Sequence, residues 1–229
     1  MTTAGFRLAL SALLAFFLQL KASLLLPPPH HPSKERKKGD CFTLCVMAED
    51  TITFLRTVGK LKETDRTGWV EQGIPNPESV SDHMYRVAVM CMMCPDEKLD
   101  RNKLIRMALC HDAGESIVGD ISPKMGVSKE DKYNQEKAAV LHLTGLLEKE
   151  SPLSRELHEL WEEYEAQQTL EAQFLKDIDL LEMVAQAHAY ELAHPEKDLS
   201  SFFVSGENIK HPWARNIYET LLRTRSSKK

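Results

Sequence analysis

The chain has 229 residues and a formal net charge of −5, with 42% hydrophobic and 28% charged residues. This length is enough for one domain with a substantial core, and the acidic balance disfavours a broad phosphate-contacting face, so we expect no nucleic-acid partner. The cysteines are odd in number, and most lie in apolar helical runs, which favours reduced thiols over a disulfide framework. Cys91 and Cys94 form a Cys-x-x-Cys pair whose apolar neighbours indicate a buried helix face rather than a redox or metal pair.

The first 46 residues differ from the rest of the chain. Leu8–Leu20 is an apolar run that is short for a bilayer span, and it resembles the central region of a signal peptide, although no cleavage site is evident. The lack of acidic residues before Glu35 also fits an organellar transit peptide, and Met47 offers a start for a cytosolic form. We expect a poorly ordered, dispensable extension over residues 1–46. The reduced cysteines favour a cytoplasmic protein; attachment to an organelle or membrane through residues 1–38 is the alternative.

From Glu49 onward the hydrophobic pattern is helical. Ile52, Leu55, Val58 and Leu61 recur at three-residue steps and predict an apolar stripe, with Asp50 as the N-cap. Further helices are predicted at 79–92, with Ser79 or Ser81 as its cap, and at 100–115, 128–148, 152–165, 170–193 and 212–222. Leu141 is expected on the apolar side of the helix over 128–148. No strand pattern is evident, so we predict an all-α domain over residues 47–225, followed by a polar tail over residues 226–229.

The predicted helix over 100–115 ends in a group of polar residues. His111 and Asp112 are adjacent, Glu115 follows, and Gly119-Asp120 closes the segment. On a continuous helix Glu115 lies four residues after His111 and three after Asp112, so the three side chains share one face. An imidazole and two carboxylates on one face can hold a divalent cation. The alternative is an ordinary solvated helix end.

Two other predicted helices carry residues of the same kind. His83 lies in the first turns of one helix, and Asp179 lies among Ile178, Leu180 and Leu181 in another. Buried carboxylates are rare unless they are paired or bind a metal. Together with His111-Asp112 they give two imidazoles and two carboxylates, a set that suits a divalent metal with open positions for water and substrate.

Four stretches of the chain resemble the HD-domain phosphohydrolases, and among them the bacterial 5'-deoxynucleotidases. The resemblance covers about residues 51–191, and its motifs are Glu78-Ser79-Val80-Ser81-Asp82-His83, His111-Asp112-Ala113-Gly114-Glu115, Gly119-Asp120 and Lys176-Asp177-Ile178-Asp179. It implies an all-α HD-domain helical bundle with the metal site between helices, and a homodimer.

The resemblance also implies a ligand set. His83, His111, Asp112 and Asp179 would bind a divalent metal cation, with Mn, Co or Mg favoured. Asp179 is chosen because the family's acid lies three residues after the Lys; in the alternative, Asp177 is a more exposed residue with an indirect role.

Further residues of the family's site are matched by position. Glu115 and Asp120 would lie beside the metal, where they orient water, relay a proton or help to bind a second cation, to which the main-chain carbonyl of Ile121 contributes. Trp69 matches an aromatic residue that packs near the nucleotide. The bacterial enzymes have an Arg directly before that Trp, where this chain has Gly68, so we expect Arg66 to supply the charge. A core position is the alternative for Trp69.

The reaction implied by the resemblance is hydrolysis of a deoxyribonucleoside 5'-monophosphate to deoxynucleoside and phosphate. Activated water would attack phosphorus in line with the leaving 5'-oxygen. The alternatives are another HD-type nucleotide phosphohydrolase or phosphodiesterase, and a non-catalytic helical interaction module. A module without activity is expected to have lost at least one ligand, and all four ligand positions are filled here, which favours an enzyme.

Overall fold

The computed structural model describes residues 41–149 and 151–226, with side chains from residue 48 onward. The predicted targeting-like segment and most of the polar tail therefore lie outside the described residues. Within the described ranges the secondary structure is helical, apart from an isolated bridge between Asp65 and Ser79, which confirms the predicted all-α fold. No helix in these ranges combines the length and apolarity needed to cross a membrane.

The helices belong to one compact unit, Cys41–Lys229. In chain order, the described α-helices are α1 (Cys41–Gly59), α2 (Thr67–Glu71), α3 (Val80–Met92), α4 (Arg101–Ala108), α5 (Glu115–Val118), α6 (Lys129–Gly145), α7 (Pro152–Ala166), α8 (Leu170–Ala193), α9 (Ser200–Ser205) and α10 (Pro212–Ser226). Short 3-10 turns occupy Lys60–Lys62, Pro123–Met125 and Gly206–Asn208.

Helix starts follow the capping chemistry of the sequence in most places. Ser79 caps α3: its hydroxyl accepts a hydrogen bond from the Asp82 backbone N–H, and the Asp82 carboxylate accepts one from the Ser79 backbone N–H. This reciprocal pair is a capping box. The predicted N-cap at Asp50 is wrong, because α1 begins at Cys41 and no Gly or Pro separates the two residues.

Helix α8 is the centre of the fold and packs against α3, α4, α7, α9 and α10. Its inward side chains, such as Ile178, Leu181 and Val184, are fully buried, and each contributes roughly 1.5–3 kcal/mol of hydrophobic stabilisation.

The prediction of an apolar stripe on α1 is wrong in part, because Ile52 and Leu55 are 46% and 62% exposed.

The neighbouring helices decide which apolar side chains of α1 and α6 are buried. Phe54 in α1 and Leu61 in the 3-10 turn that follows it are buried because they face the body of the domain. In α6, Leu141 is exposed, whereas Val140 and Leu143 are buried. The prediction for Leu141 is therefore wrong, since the neighbouring helices cover only the narrower face that carries Val140 and Leu143.

The prediction of one continuous helix over 100–115 is wrong, because the helix is interrupted in the stretch that carries His111 and Asp112. Helix α4 ends at Ala108, and turns connect it to α5, which begins at Glu115. His111 Nδ1 donates to the Ala108 carbonyl at 2.8 Å. Gly114 packs so tightly against α6 that a Cβ there would lie 3.1 Å from the Glu136 carbonyl oxygen. His111 and Asp112 therefore lie in the connecting turn, and they do not share one continuous helix face with Glu115.

Candidate metal centre

The structure brings together the four side chains that the sequence singles out as ligands. His83 comes from α3, His111 and Asp112 from the turn between α4 and α5, and Asp179 from α8. His83 Nε2 lies 3.3 Å from Asp179 Oδ1 and 3.7 Å from Asp112 Oδ2, and His111 Nε2 lies 3.3 Å from Asp112 Oδ2. The ligand atoms of His83, His111 and Asp179 all lie within 4.8 Å of one another.

The two imidazoles are oriented so that each turns its Nε2 towards the cluster. Nε2 of His83 and Nε2 of His111 are buried, and neither has a hydrogen-bond partner among the described residues. Because Nδ1 of His111 donates to a carbonyl, the neutral ring has its unprotonated Nε2 turned towards the cluster. Two such nitrogens and two carboxylates form a donor set that suits a borderline divalent metal.

The charges in the cluster are strongly coupled. Although burial opposes ionisation, His111 and Arg66 hold the pKa of Asp112 well below its usual range. Burial and Arg66 act to lower the pKa of His83, but the carboxylates of Asp179 and Glu182 raise it to about 9. The neighbouring carboxylates therefore favour the protonated form of His83.

Asp179 is held from behind by two donors. Lys176 Nζ and the Tyr164 hydroxyl both donate to Asp179 Oδ2, at 2.8 and 2.9 Å. Despite burial, Lys176 and His83 hold the pKa of Asp179 well below its usual range. One carboxylate oxygen is thus engaged with these donors, and Oδ1 is directed towards His83.

Glu115, Asp120 and Ile121 line the same region. Glu115 is 3% exposed, and its Oε2 has no hydrogen-bond partner in the described part of the chain. Burial, together with negative Asp112 and Asp120, raises the pKa of Glu115 well above its usual range. Asp120 Oδ2 accepts from a backbone N–H at 2.7 Å, and the Ile121 carbonyl accepts from Lys132 Nζ at 3.3 Å. The surroundings of Glu115 thus favour its protonated form.

A pocket of about 540 Å³ opens beside the cluster and includes Arg66 and Trp69 in its wall. Arg66 is paired with Asp112 at 3.4 Å, and the surrounding acids raise the pKa of its guanidinium. Trp69 is almost fully buried: its Nε1 donates to Glu78 Oε1 at 2.9 Å, and its ring centre is 4.3 Å from that of Phe202. Trp69 therefore supports the pocket wall as a packed core residue, and Phe202 covers it.

The two aspartates of the Lys-Asp-Ile-Asp motif have different surroundings. The expectation that Asp177 is the more exposed of the pair is wrong, because it is only 6% exposed. Its Oδ2 accepts hydrogen bonds from the backbone N–H groups of Lys210 and His211 at 3.0 and 2.6 Å. Residues two apart on a helix point about 200° away from each other, so Asp177 faces the connection to α10 and Asp179 faces the histidines.

Several side chains that contact the site residues were given no role from the sequence. Glu182 forms a hydrogen bond with Nδ1 of His83. Lys176 and Tyr164 donate hydrogen bonds to Asp179. Lys132 donates one to the Ile121 carbonyl. Helical spacing gives a signal for two of them, because Lys176 and Glu182 lie three residues before and after Asp179 and therefore share its face. Tyr164 and Lys132 come from other helices, and no local pattern points to them.

Two histidines and two aspartates from three parts of an all-α domain converge beside an open pocket, and this arrangement can hold a divalent metal. A family model described as "HD domain" matches residues 58–216. The chain belongs to the HD-domain family.

Individual relatives extend over most of the chain. It is 44% identical over 182 residues to the 5'-deoxynucleotidase HDDC2 of Homo sapiens, covering 79% of this chain and 88% of that protein. It is 46% identical over 178 residues to the 5'-deoxynucleotidase HDDC2 of Xenopus laevis, covering 77% and 88%. Among solved structures, it is similar to a conserved hypothetical protein from Pyrococcus furiosus, with a TM-score of 0.62, 34% identity, and coverage of 75% of this chain and 99% of that one.

Proposed function

We propose that this chain is a metal-dependent 5'-deoxynucleotidase that hydrolyses deoxyribonucleoside 5'-monophosphates. The observation that carries the proposal is the convergence of His83, His111, Asp112 and Asp179 at a pocket of about 540 Å³. That volume lies within the usual range for small-molecule sites. The names of the relatives at 44% and 46% identity support this substrate class.

We assign the four residues as ligands of a divalent cation, with Mn, Co or Mg favoured. When bound, such a cation supplies an activated water and polarises a phosphoryl oxygen. The histidines contribute Nε2, and Asp179 contributes Oδ1 while Lys176 holds its other oxygen. The ligands thereby present a fixed set of donors to one side of the pocket.

The proton and phosphate roles are assigned to residues around the ligands. Glu115 has a raised pKa and an unpartnered buried oxygen, so it can hold a proton and transfer it at Oε2. Arg66 offers a fixed positive charge to the phosphate. Asp120 is anchored by its hydrogen bond from the backbone of residue 67; it orients water or, with the Ile121 carbonyl, contributes to a second cation position.

The test is phosphate release by the full chain after removal of metal and resupply with Mn, Co or Mg. Matched ribo- and deoxyribonucleoside monophosphates are the substrates, and Asp112→Asn is the control for the site. We expect release only with metal, faster with the deoxy substrates, and none from the variant. A folded, metal-loaded protein that releases phosphate from no monophosphate overturns the proposal, and activity on other phosphate esters then favours another HD-type phosphohydrolase.

We also propose that the protein is a cytoplasmic homodimer whose activity resides in residues 47–225. The buried free thiols Cys91, Cys94 and Cys110 support a reducing compartment, and the exposed apolar side chains of α1 support association. Light scattering reports the oligomeric state, fluorescence imaging of the tagged full chain reports its location, and deletion of residues 1–46 is expected to leave turnover unchanged. A monomer, a different compartment or an inactive folded truncation contradicts the corresponding part.

A further inference from the structure

An ion-paired network lies against Nδ1 of His83, the ring nitrogen opposite the one that faces Asp112 and Asp179. Glu182 lies on α8, three residues after Asp179, and its side chain is 0% exposed. Its Oε2 is 2.6 Å from His83 Nδ1, and its Oε1 accepts from Arg86 Nε at 2.8 Å. The imidazole of His83 is therefore held between two acids of one helix, with Asp179 next to Nε2 and Glu182 next to Nδ1.

Stability alone does not account for this arrangement. Removing a carboxylate completely from water carries a desolvation penalty that its ion pair often only balances, and apolar residues of similar volume are often as stable. Arg86 is partly exposed, with 39% of its side chain accessible, so it does not need Glu182 in order to be solvated. The specific result of burying Glu182 is an acceptor directed at one ring nitrogen of a ligand residue.

We infer that Glu182 is a positioning residue that acts through His83 on the metal centre. It accepts the Nδ1–H hydrogen bond, which fixes the tautomer and the ring orientation and leaves Nε2 as the nitrogen that faces the ligand cluster. Carboxylates behind ligating histidines are a general means of setting ligand geometry and basicity. The inference deepens the proposed function and rests on its metal centre.

The same network does not form a second metal site. Ligand atoms of Glu78, His83 and Glu182 also lie within 4.8 Å of one another. The Arg86 guanidinium contacts both carboxylates, with Nη2 lying 3.4 Å from Glu78 Oε2, so a positive charge already lies between them. Glu78 in turn accepts from Trp69 Nε1, and the network thus continues from His83 to the pocket wall.

Glu182→Gln tests the inference, with Glu191→Gln as a matched control. Glu191 also lies on α8 and also forms an ion pair with an arginine, Arg225, with bonds of 2.6 and 2.8 Å, but it is nine residues, or roughly 13 Å, further along the helix. The measurement is the dissociation constant of Co²⁺ from the full chain without substrate, by chelator competition, alongside the melting temperature of the metal-free protein. We expect Co²⁺ to bind about 10- to 100-fold more weakly to Glu182→Gln and normally to Glu191→Gln.

Two outcomes overturn the inference: wild-type Co²⁺ affinity in Glu182→Gln, or an equal loss of affinity in both variants. If Glu182→Gln does not fold, Glu182→Asp retains the charge beside Arg86 and withdraws the carboxylate from Nδ1 by one methylene. A loss of Co²⁺ affinity is expected there too, and wild-type affinity overturns the inference. On a His83→Ala background, Glu182→Gln is expected to add no further loss, and an additional loss contradicts action through His83.

Failure of this inference is distinguishable from failure of the proposed function. The Co²⁺ measurement needs no substrate and no turnover. A wild-type chain that binds Co²⁺ but releases no phosphate removes the proposed function and leaves the role of Glu182 standing. A chain that turns over deoxynucleotides, and whose Co²⁺ affinity is unchanged by Glu182→Gln, removes the role of Glu182 and leaves the proposed function standing.

Discussion

Asp177 and Asp179 lie on the same helix two residues apart, and we expect their removal to have opposite consequences. The Asp177 carboxylate accepts the backbone N–H groups of Lys210 and His211, just before α10 begins at Pro212. Asp177→Ala leaves both backbone donors without their acceptor, and each unsatisfied donor lowers the free energy of unfolding by about 1–3 kcal/mol. Because these hydrogen bonds are only partly buried, we expect the free energy of unfolding to fall by about 3 kcal/mol in total. For a domain of this size that corresponds to a fall in melting temperature of roughly 6–12 °C.

Asp179→Ala is expected to affect metal binding more than thermal stability. Its donors Lys176 and Tyr164 lose an acceptor, but Lys176 is about half exposed and can be hydrated instead. We expect a smaller change in the melting temperature of the metal-free protein and a loss of metal binding. Asp177→Ala should retain metal with near wild-type affinity.

The assay is thermal unfolding of the metal-free full chain, followed by Co²⁺ titration of each variant at a temperature where it is folded. Asp177→Asn is the matched control, since its amide oxygen still accepts a hydrogen bond, and it should lie between wild type and Asp177→Ala in stability. The reasoning is refuted if Asp177→Ala loses Co²⁺ at an unchanged melting temperature, or if Asp179→Ala retains wild-type affinity.

Three further predictions follow from individual side chains. His111→Ala should lose both bound metal and turnover while its circular dichroism stays near wild type; unchanged metal content contradicts its assignment as a ligand. Burial raises the pKa of Glu136 to about 7, above the usual value of about 4.5, so the folded state binds this proton more tightly than the unfolded state. Stability of the metal-free protein should therefore fall as pH rises from about 4.5 to about 7, and Glu136→Gln should reduce that slope in denaturant titrations; an unchanged slope contradicts the assignment. A Cβ at Gly206 would collide with the ring of Tyr218, so Gly206→Ala should destabilise by about 1–3 kcal/mol. Gly145→Ala meets no atom within 4 Å and should be neutral or stabilising; equal effects of the two substitutions contradict the packing argument.

Local sequence signals predict much of the helical framework. Helix α8 runs over Leu170–Ala193 as predicted, because Thr169 caps it and Pro195 follows its end. Helix α7 begins at Pro152 after Ser151, since proline at the first helical position has no N–H to lose. The last helix is longer than predicted and continues to Ser226, because residues 223–226 contain neither Gly nor Pro.

The candidate ligands could be proposed from the sequence, but their geometry could not. Asp179 stands out because a carboxylate among apolar residues needs a partner, whereas His83 alone gives little signal and is selected through its match to the family motif. The break after Ala108 depends on the packing of Gly114 against α6, a contact between residues distant in sequence. The same holds for Glu182: its spacing from Asp179 is visible in the chain, but its contact with His83 exists only once α3 and α8 pack together.

The central claim is that His83, His111, Asp112 and Asp179 together hold the cation. Anomalous X-ray diffraction from crystals of the full chain grown with Co²⁺ tests it most directly. We predict one strong anomalous peak between the four side chains, at about 2.0–2.3 Å from Nε2 of each histidine and from a carboxylate oxygen of each aspartate. A cobalt-loaded protein whose strongest peak lies elsewhere, or whose peak contacts none of the histidines, contradicts the account.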